Sequence, residues 1–321
     1  MHHTLSVVAE ILAAGAVVSF IGSRLIERMH PPRGRFVDIG GLHQHVVELG
    51  DMRPDAPPIV VIHGAGCNLE DMRLAFGERL AVRHRVILID RAGLGYSARN
   101  GRRGSAPSYQ AAILRDVLDR LGVARAIVVG HSWGGTLAAA FALDHPHRAA
   151  GLVLLAPPLY PRLGSLTLLY NVFAAPIFGR IYAHTLALPL GVPFIGLALG
   201  SAFLPQWPRR LYLKRSAALL LLRPSTFLAN ACDIADLENN LTTQSARYGE
   251  LRMPTVIMAG TRDIIVPLRH HAGKFAAAVP HAKLVVLPGI GHMLHHVAAD
   301  RVMTEIEKIK ARYSTVLSSP T

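Results

Sequence analysis

Short, continuous apolar runs recur along the chain and constrain its fold more than any other feature. The runs are "PPIVVIHG", "RVILID", "ARAIVVGHS" and "AGLVLLAPP" in the first half, then "MPTVIMAG" and "AKLVVLPG" towards the C-terminus. Such runs are typical of parallel strands buried on both faces. Segments with helical spacing alternate with them, at about residues 69–82, 108–121, 133–145, 268–279 and 293–310. This alternation predicts an α/β fold with a mostly parallel, doubly wound sheet.

Two segments depart from this rhythm. "RFVDIGG" and "HQHVVELG" are joined by two glycines, which predicts a hairpin. Residues 157–250 are rich in Leu, Ala, Pro and Gly and predict several short helices inserted between two strands. Such an insertion usually forms a lid over the carboxyl ends of the strands, where ligands bind. We therefore expect a core of residues 31–156 and 251–321, with a helical lid of residues 157–250.

The N-terminal segment is apolar from Leu5 to Ser23, with Glu10 as its only charged residue. At about 1.5 Å per residue, it is nearly long enough to cross a hydrocarbon core of roughly 30 Å. We expect an anchor helix over residues 1–30 that associates with a membrane, either spanning it or lying in the interface. The alternative is a helix that docks on the protein's own surface. Four arginines follow the segment, so the positive-inside rule places the C-terminal side, with the main domain, in the cytoplasm. They are Arg24, Arg28, Arg33 and Arg35.

The charge balance is strongly basic, with 34 Lys and Arg against 21 Asp and Glu, a formal net charge of +13. The basic residues are dispersed, and no zinc finger, aromatic RNA-binding signature or basic helix accompanies them. Nucleic acid is therefore not the expected partner, and an anionic membrane surface fits better. Two cysteines give no disulfide framework. The histidines lack metal-binding spacings, so we expect neither a metal nor a cofactor.

The sequence "GHSWGG", residues 130–135, lies between a predicted strand and a predicted helix. It fits the G-x-S-x-G pattern, in which a tight turn holds the serine in a strained conformation at the start of a helix. Glycines on either side are needed because side chains there would collide with neighbouring backbone. The helix dipole also favours negative charge at this position. Ser132 is therefore the predicted nucleophile.

A serine nucleophile needs a base and an acid that orients the base. Asp263 follows one predicted strand in "GTRDIIVP", and His292 follows the next in "GIGHMLHH". The carboxyl ends of parallel strands meet at one edge of a sheet, so both residues should lie near Ser132. Rival histidines at 270, 271, 295 and 296 fall in predicted helices, where we expect their side chains to lie along the helix surface. The rival acids Asp233 and Asp236 fall in the predicted lid.

Backbone N–H groups should stabilise the oxyanion that forms during acyl transfer. We predict that Trp133 supplies one donor and Ala65, in "HGAGCN", supplies the other, with Gly66 as the next choice. His63, at the end of a predicted strand, suits a structural hydrogen-bonding role. Cys67 has no adjacent base and is interpreted as a packing residue.

Five motifs together, "HGAG", "DRAGLGYS", "GHSWGG", "GTRDIIVP" and "GIGHMLHH", resemble the α/β-hydrolase superfamily over about residues 36–312. The resemblance implies a triad of Ser132, Asp263 and His292, with an oxyanion hole at Ala65 and Trp133. Epoxide hydrolases and haloalkane dehalogenases of similar layout have Asp at the nucleophile position, where this chain has Ser. The expected activity is hydrolysis of carboxylic esters with apolar or acyl-chain groups. The alternatives are a lactonase, thioesterase or amidase, a serine haloperoxidase or perhydrolase, and a non-catalytic membrane-associated binding protein.

Overall fold

A computed structural model describes residues 2–51, 56–161 and 165–318 of the 321-residue chain. The described residues contain one eight-stranded sheet with strand order β1-β2-β4-β3-β5-β6-β7-β8. The strands are β1 (Arg35–Asp38), β2 (His43–Leu49), β3 (Ile59–Ile62), β4 (Val86–Ile89), β5 (Ala126–His131), β6 (Ala149–Leu155), β7 (Thr255–Gly260) and β8 (Lys283–Leu287). The pairs β1–β2 and β2–β4 are antiparallel, and every other pair is parallel. The predicted fold class and the hairpin are confirmed.

The central strands β3 to β7 coincide with the apolar runs. Every residue of β3, β4, β5, β6 and β7 is buried. Helices cover both faces of the sheet, so these strands expose no polar face to water and need no alternation of polar and apolar residues. The carboxyl ends of β5, β7 and β8 lie at the same edge of the sheet because these strands run parallel.

The helices of the core follow the predicted segments with two differences. They are α2 (Leu69–Met72), α3 (Glu78–Ala81), α4 (Pro107–Arg120), α5 (Trp133–Asp144), α12 (Lys274–Ala278), α13 (Leu294–Val297) and α14 (Ala299–Ser318). Wider helical turns replace part of two predicted helices: Arg73–Gly77 joins α2 to α3, and Arg269–Gly273 precedes α12. The single predicted helix over residues 293–310 is two helices, since the chain leaves helical geometry at Ala298.

The segment between β6 and β7 is helical and is called the lid below. Its helices are α6 (Ser165–Phe173), α7 (Phe178–Thr185), α8 (Ala187–Phe203), α9 (Tyr212–Arg215), α10 (Pro224–Ala235) and α11 (Leu237–Ser245). Residues 162–164 of the predicted lid lie outside the described residues. The lid reaches the loops that follow the strands: Asn230 Oδ1 accepts a hydrogen bond from Gly66 N, and Gln206 Oε1 accepts one from Gly291 N. It therefore covers the carboxyl ends of the strands.

The N-terminal helix α1 (His2–Met29) packs along the lid through small residues. A side chain at Gly15 would lie 2.4 Å from Thr185 O, and one at Gly22 would lie 2.9 Å from a methyl group of Leu188. Ser19, between them, is buried. In the described part of the chain, one helix, His3–Met29, is long and apolar enough to cross a membrane, with a mean hydropathy of 2.1. Together α7 and α8, bent by 76°, pass the same test.

Candidate active site

Ser132 lies on the tight turn between β5 and α5. Its backbone has φ 50° and ψ −124°, a strained conformation for a residue with a side chain. A Cβ added at Gly130 would lie 2.1 Å from Gly134 O, and one at Gly134 would lie 2.5 Å from His63 O. Only glycine fits at either position, because the backbone itself is the obstacle. The turn therefore presents Ser132 at the N-terminus of α5.

Asp263 and His292 form a hydrogen-bonded pair at the same edge of the sheet. His292 Nδ1 donates to Asp263 Oδ2 over 2.8 Å. The other carboxylate oxygen, Oδ1, accepts hydrogen bonds from Ile265 N at 2.9 Å and Val266 N at 2.8 Å. Asp263 thus holds both its own loop and the imidazole, which fixes the Nδ1–H tautomer and leaves Nε2 free to accept a proton.

The loop that carries His292 is held on two sides. His131, next to Ser132, donates from Nε2 to His292 O over 3.1 Å, and the two rings lie 4.9 Å apart. Gln206 of the lid binds Gly289 O at 2.7 Å and Gly291 N at 3.0 Å. Within the described residues, Ser132 Oγ makes no hydrogen bond to His292. Such bonds are often long in a free enzyme and shorten when substrate binds.

The predicted oxyanion-hole donors lie beside the nucleophile. A Cβ at Gly64 would be 3.1 Å from Ser132 Cβ, so the loop after β3 passes directly over the serine. Gly66 N already donates to Asn230 Oδ1 at 2.7 Å, which makes it unsuitable as a donor to substrate. Among the described residues, the N–H groups of Ala65 and Trp133 have no acceptor. They are therefore available to an oxyanion.

His63 has the structural role that its position at a strand end suggests. Its Nε2 accepts a hydrogen bond from Arg91 N at 3.0 Å, and its Nδ1 donates to Gly64 O at 2.8 Å. Burial, aided by the charge of Arg91, lowers the pKa of His63 to about 4. The neutral imidazole therefore ties the loop after β3 to the loop after β4. Burial also raises the pKa of the nearby Cys67 thiol well above its ordinary value, in keeping with a packing residue.

The expectation that His271, His295 and His296 lie along a helix surface is wrong, since all three are buried. His295 and His296 are buried because α13 packs into the core directly after the His292 loop. His295 Nε2 donates to Asp71 Oδ2 at 2.9 Å, while His296 Nε2 and the lid hydroxyl of Tyr212 both donate to Asp71 Oδ1 at 2.7 Å. The His295 ring also stacks 3.9 Å from that of His131. A polar cluster that the sequence did not predict thus lies behind Ser132 and links core to lid.

Three members of this cluster are close enough to share a cation. Single ligand atoms of Asp71, His131 and His295 lie within 4.8 Å of one another. Both oxygens of Asp71 already accept hydrogen bonds, which satisfies the carboxylate without an ion. Burial lowers the pKa of His295 to about 4, so its neutral ring serves as the hydrogen-bond donor. We interpret the group as a hydrogen-bonded support for the site.

The rival acids of the lid have other partners. Asp233 is fully buried between Arg91 and Arg99, at 2.6 Å from each, and its backbone O accepts from Trp133 Nε1 at 3.1 Å. Asp236 pairs with Arg102 at 2.7 Å. Both carboxylates therefore join lid to core, and neither contacts His292.

The buried histidines predict a loss of stability in mild acid. Burial lowers the pKa of His63, His271 and His295 to about 4, against 6.5 in an unfolded chain. As pH falls through 6.5, the unfolded chain takes up protons that the folded protein does not. Stability is therefore fully present above about pH 6.5 and is lost down to about pH 4, by roughly 3 kcal/mol for each fully buried histidine. Urea unfolding at a series of pH values measures this.

The control for that prediction is His295→Asn, a neutral replacement. Between about pH 6.5 and about pH 4, the free energy of unfolding of this variant should fall less steeply than that of the wild type. The two slopes should differ by up to about 1.4 kcal/mol per pH unit. An unchanged slope would show that His295 is not neutral in the folded protein.

Fold and site together define a hydrolase built on an α/β sheet. The family model of the alpha/beta hydrolase fold matches residues 57–299, and the chain belongs to this family. It is 26% identical over 270 residues to the 2-hydroxy-6-oxononadienedioate/2-hydroxy-6-oxononatrienedioate hydrolase of Cupriavidus pinatubonensis, covering 80% of this chain and 88% of the relative. The chain is accordingly an α/β-hydrolase enzyme.

Two solved structures show the same fold. A thermophilic esterase from Thermogutta terrifontis matches with a TM-score of 0.68 at 21% identity, covering 88% of this chain and 100% of the esterase. Est816, described as an N-acyl homoserine lactone degrading enzyme, matches with a TM-score of 0.64 at 24% identity, covering 85% of this chain and 99% of Est816. At these identities the likeness concerns the fold.

Proposed function

We propose that this enzyme is a serine hydrolase that cleaves carboxylic esters of apolar or acyl-chain substrates through an acyl-enzyme on Ser132. The observation that carries the proposal is the arrangement at one sheet edge. A serine with φ 50° immediately precedes α5, and the hydrogen-bonded Asp263–His292 pair lies on the neighbouring loops. Two backbone N–H groups that have no acceptor among the described residues, at Ala65 and Trp133, flank the serine. These are the groups that acyl transfer requires.

The reaction proceeds in two halves. His292 Nε2 takes the proton of Ser132 Oγ while that oxygen attacks the ester carbonyl, and the oxyanion is stabilised by the N–H groups of Ala65 and Trp133. The C–O bond to the alcohol then breaks, and the imidazolium returns the proton to the leaving oxygen. His292 then takes a proton from water as the water oxygen attacks the acyl-enzyme. The bond to Ser132 Oγ breaks, the imidazolium returns the proton to Oγ, and the acid and free Ser132 are released. Asp263 stabilises the imidazolium throughout.

A panel of substrates and a covalent probe test this proposal. We expect a fluorophosphonate to label Ser132 stoichiometrically, and p-nitrophenyl esters to be hydrolysed with a preference for longer acyl chains. Acyl-homoserine lactones, thioesters and amides in the same panel distinguish among reactions that share the triad. A folded protein that is neither labelled nor active on any acyl compound would contradict the proposal and leave a non-catalytic binding role.

Carbon–carbon bond hydrolysis is a second candidate, favoured by the Cupriavidus relative, which spans most of both chains. A 2-hydroxy-6-oxo-dienoate in the panel tests it through the loss of the substrate's absorbance. Turnover of this compound with no turnover of esters would replace the ester proposal.

We further propose that α1 associates with a membrane and that the catalytic domain lies in the cytoplasm. The supporting observations are the exposed apolar surface of α1 and the four arginines at its C-terminal end and just beyond it, Arg24, Arg28, Arg33 and Arg35. The corresponding division is an anchor of residues 1–30, a core of residues 31–156 and 251–321, and a lid of residues 157–250. Flotation of the full-length protein with vesicles tests the association.

A further inference from the structure

Exposed apolar side chains are concentrated in two parts of the molecule that pack on each other. In the described residues, all but six of the exposed large hydrophobic side chains belong to α1 or to the lid. Those of the lid lie mainly on or next to α6, α7 and α8, such as Leu168, Ile177 and Leu197, which are 69, 77 and 76% exposed. A soluble protein rarely leaves so many large apolar side chains in contact with water.

The two parts are one packed body. Contacts with the lid cover one face of α1. Gly15 and Ser19 lie against Thr185 on α7, and Gly22 lies against Leu188 on α8. Small residues in such a stripe let two helix backbones approach closely. Because α1 lies against α7 and α8, whatever covers its open face must also meet the lid beside it.

The charge of the lid indicates what covers this apolar surface. Residues 157–232 contain seven Lys and Arg and no Asp or Glu. Two of the basic residues, Arg209 and Arg210, follow Trp207, which is 78% exposed. Exposed tryptophan beside arginine is typical of the headgroup level of a bilayer, where the ring is half immersed and the cation meets phosphate.

A basic cavity lies where α1 meets the lid. It has a volume of about 780 Å³ and is lined by Met29, at the end of α1, and by Lys214 and Arg215 of α9. The three carboxylates on its wall already have partners: Glu70 and Glu78 are paired with Arg73, and Asp90 is paired with His45. In the described part of the chain, Lys214 and Arg215 have no carboxylate partner, which leaves them available to an anionic headgroup.

We propose that the outer faces of α1 and of lid helices α6–α8 form a single surface that enters an anionic phospholipid bilayer. This rests on the proposed membrane association and adds the lid to it. The lid then approaches the lipid next to the catalytic loop, because Gln206, adjacent to Trp207, holds Gly289 and Gly291 just before His292. Acyl-chain substrates would reach the site from the lipid phase.

Trp207 provides a direct test with the unaltered, full-length protein. The chain has two tryptophans, and Trp133 is buried, so Trp207 reports on the lid surface. With vesicles of phosphatidylcholine and phosphatidylglycerol, we expect a blue shift of tryptophan emission and strong quenching by lipids brominated on the acyl chain. Trp207→Phe should remove the quenching without preventing vesicle binding. Vesicles of phosphatidylcholine alone should bind more weakly.

A matched pair of variants tests whether the lid contributes to vesicle binding in addition to α1. Leu197→Glu places a charge on α8, and we expect it to weaken vesicle binding about tenfold. Val82→Glu, at a site 79% exposed but outside the surface, should bind like the wild type. Both side chains protrude into solvent, so the Tm of each variant should stay near that of the wild type.

Three outcomes would overturn the inference. If the wild type binds vesicles but Trp207 is not quenched and Leu197→Glu binds normally, α1 alone anchors the protein and only the lid surface is wrong. If the wild type does not bind vesicles at all, the membrane association fails as well. If Leu197→Glu dissociates an oligomer without changing vesicle binding, a second copy of the chain covers this face.

Discussion

Ser132→Ala is expected to lower kcat for ester hydrolysis by about a millionfold, the typical cost of losing a nucleophile that acts together with its base. The reason lies in the covalent step, which no other group at the site can perform. Cys67 lies two residues after Ala65, but burial raises the pKa of its thiol and keeps it protonated. The remaining N–H groups of Ala65 and Trp133 can still stabilise an oxyanion, so a small residual rate above that in water should persist. Steady-state kinetics with a p-nitrophenyl ester measure the loss.

The fold should survive this change. Ser132 Oγ has no hydrogen-bond partner among the described residues, and Ala retains the Cβ that the turn already accommodates at φ 50°. Thermal unfolding should therefore remain near that of the wild type, and fluorophosphonate labelling should disappear. Ser108→Ala, at an exposed serine of α4, is the control and should retain full activity. Activity near the wild-type level in folded Ser132→Ala would refute the assignment of the nucleophile.

The parts of the fold that sequence predicts are those specified by local pattern. Each apolar run became a strand because a parallel strand between two helical layers is apolar on both faces. The loops after β5, β7 and β8 then bring Ser132, Asp263 and His292 to one edge, since parallel strands end on the same side. Gly130 was equally predictable, because its requirement is a steric contact with Gly134 O, four residues away, whereas the obstacle at Gly134 is the distant His63 O.

The parts that sequence did not predict depend on partners far away in the chain. Asp71 and His295 are separated by 224 residues, and nothing local to either indicates the pairing. Helical position suggested that His295 lies at the surface, but tertiary packing buried α13. Asp233 likewise looked like an ordinary lid carboxylate until Arg91 and Arg99 enclosed it. One signal was readable: the spacing of Gly15, Ser19 and Gly22 marks a helix face that another helix approaches.

The burial of Asp233 also determines which lid carboxylate can serve as the control when Asp263 is replaced. Neutralising it would leave Arg91, which is fully buried, without its charge partner, and breaking a buried ion pair commonly costs 3–5 kcal/mol. An activity loss there would report on unfolding and lid detachment. Asp236 is the better control acid, because its partner Arg102 remains half exposed to water when the carboxylate is lost.

Asp263→Asn is expected to lower kcat by about ten-thousandfold, and the hydrogen bonds around Asp263 explain why an isosteric change is so damaging. Two backbone N–H groups, from Ile265 and Val266, donate to Oδ1. An Asn side chain would keep its carbonyl oxygen at that position, and its NH₂ group would then face His292 Nδ1. His292 would have to accept a hydrogen bond at Nδ1 and carry its own proton on Nε2, which is the tautomer that cannot deprotonate Ser132. Asp236→Asn should change kcat by no more than a few-fold. If Asp263→Asn stays active while Asp236→Asn is impaired, the acid of the triad has been misassigned.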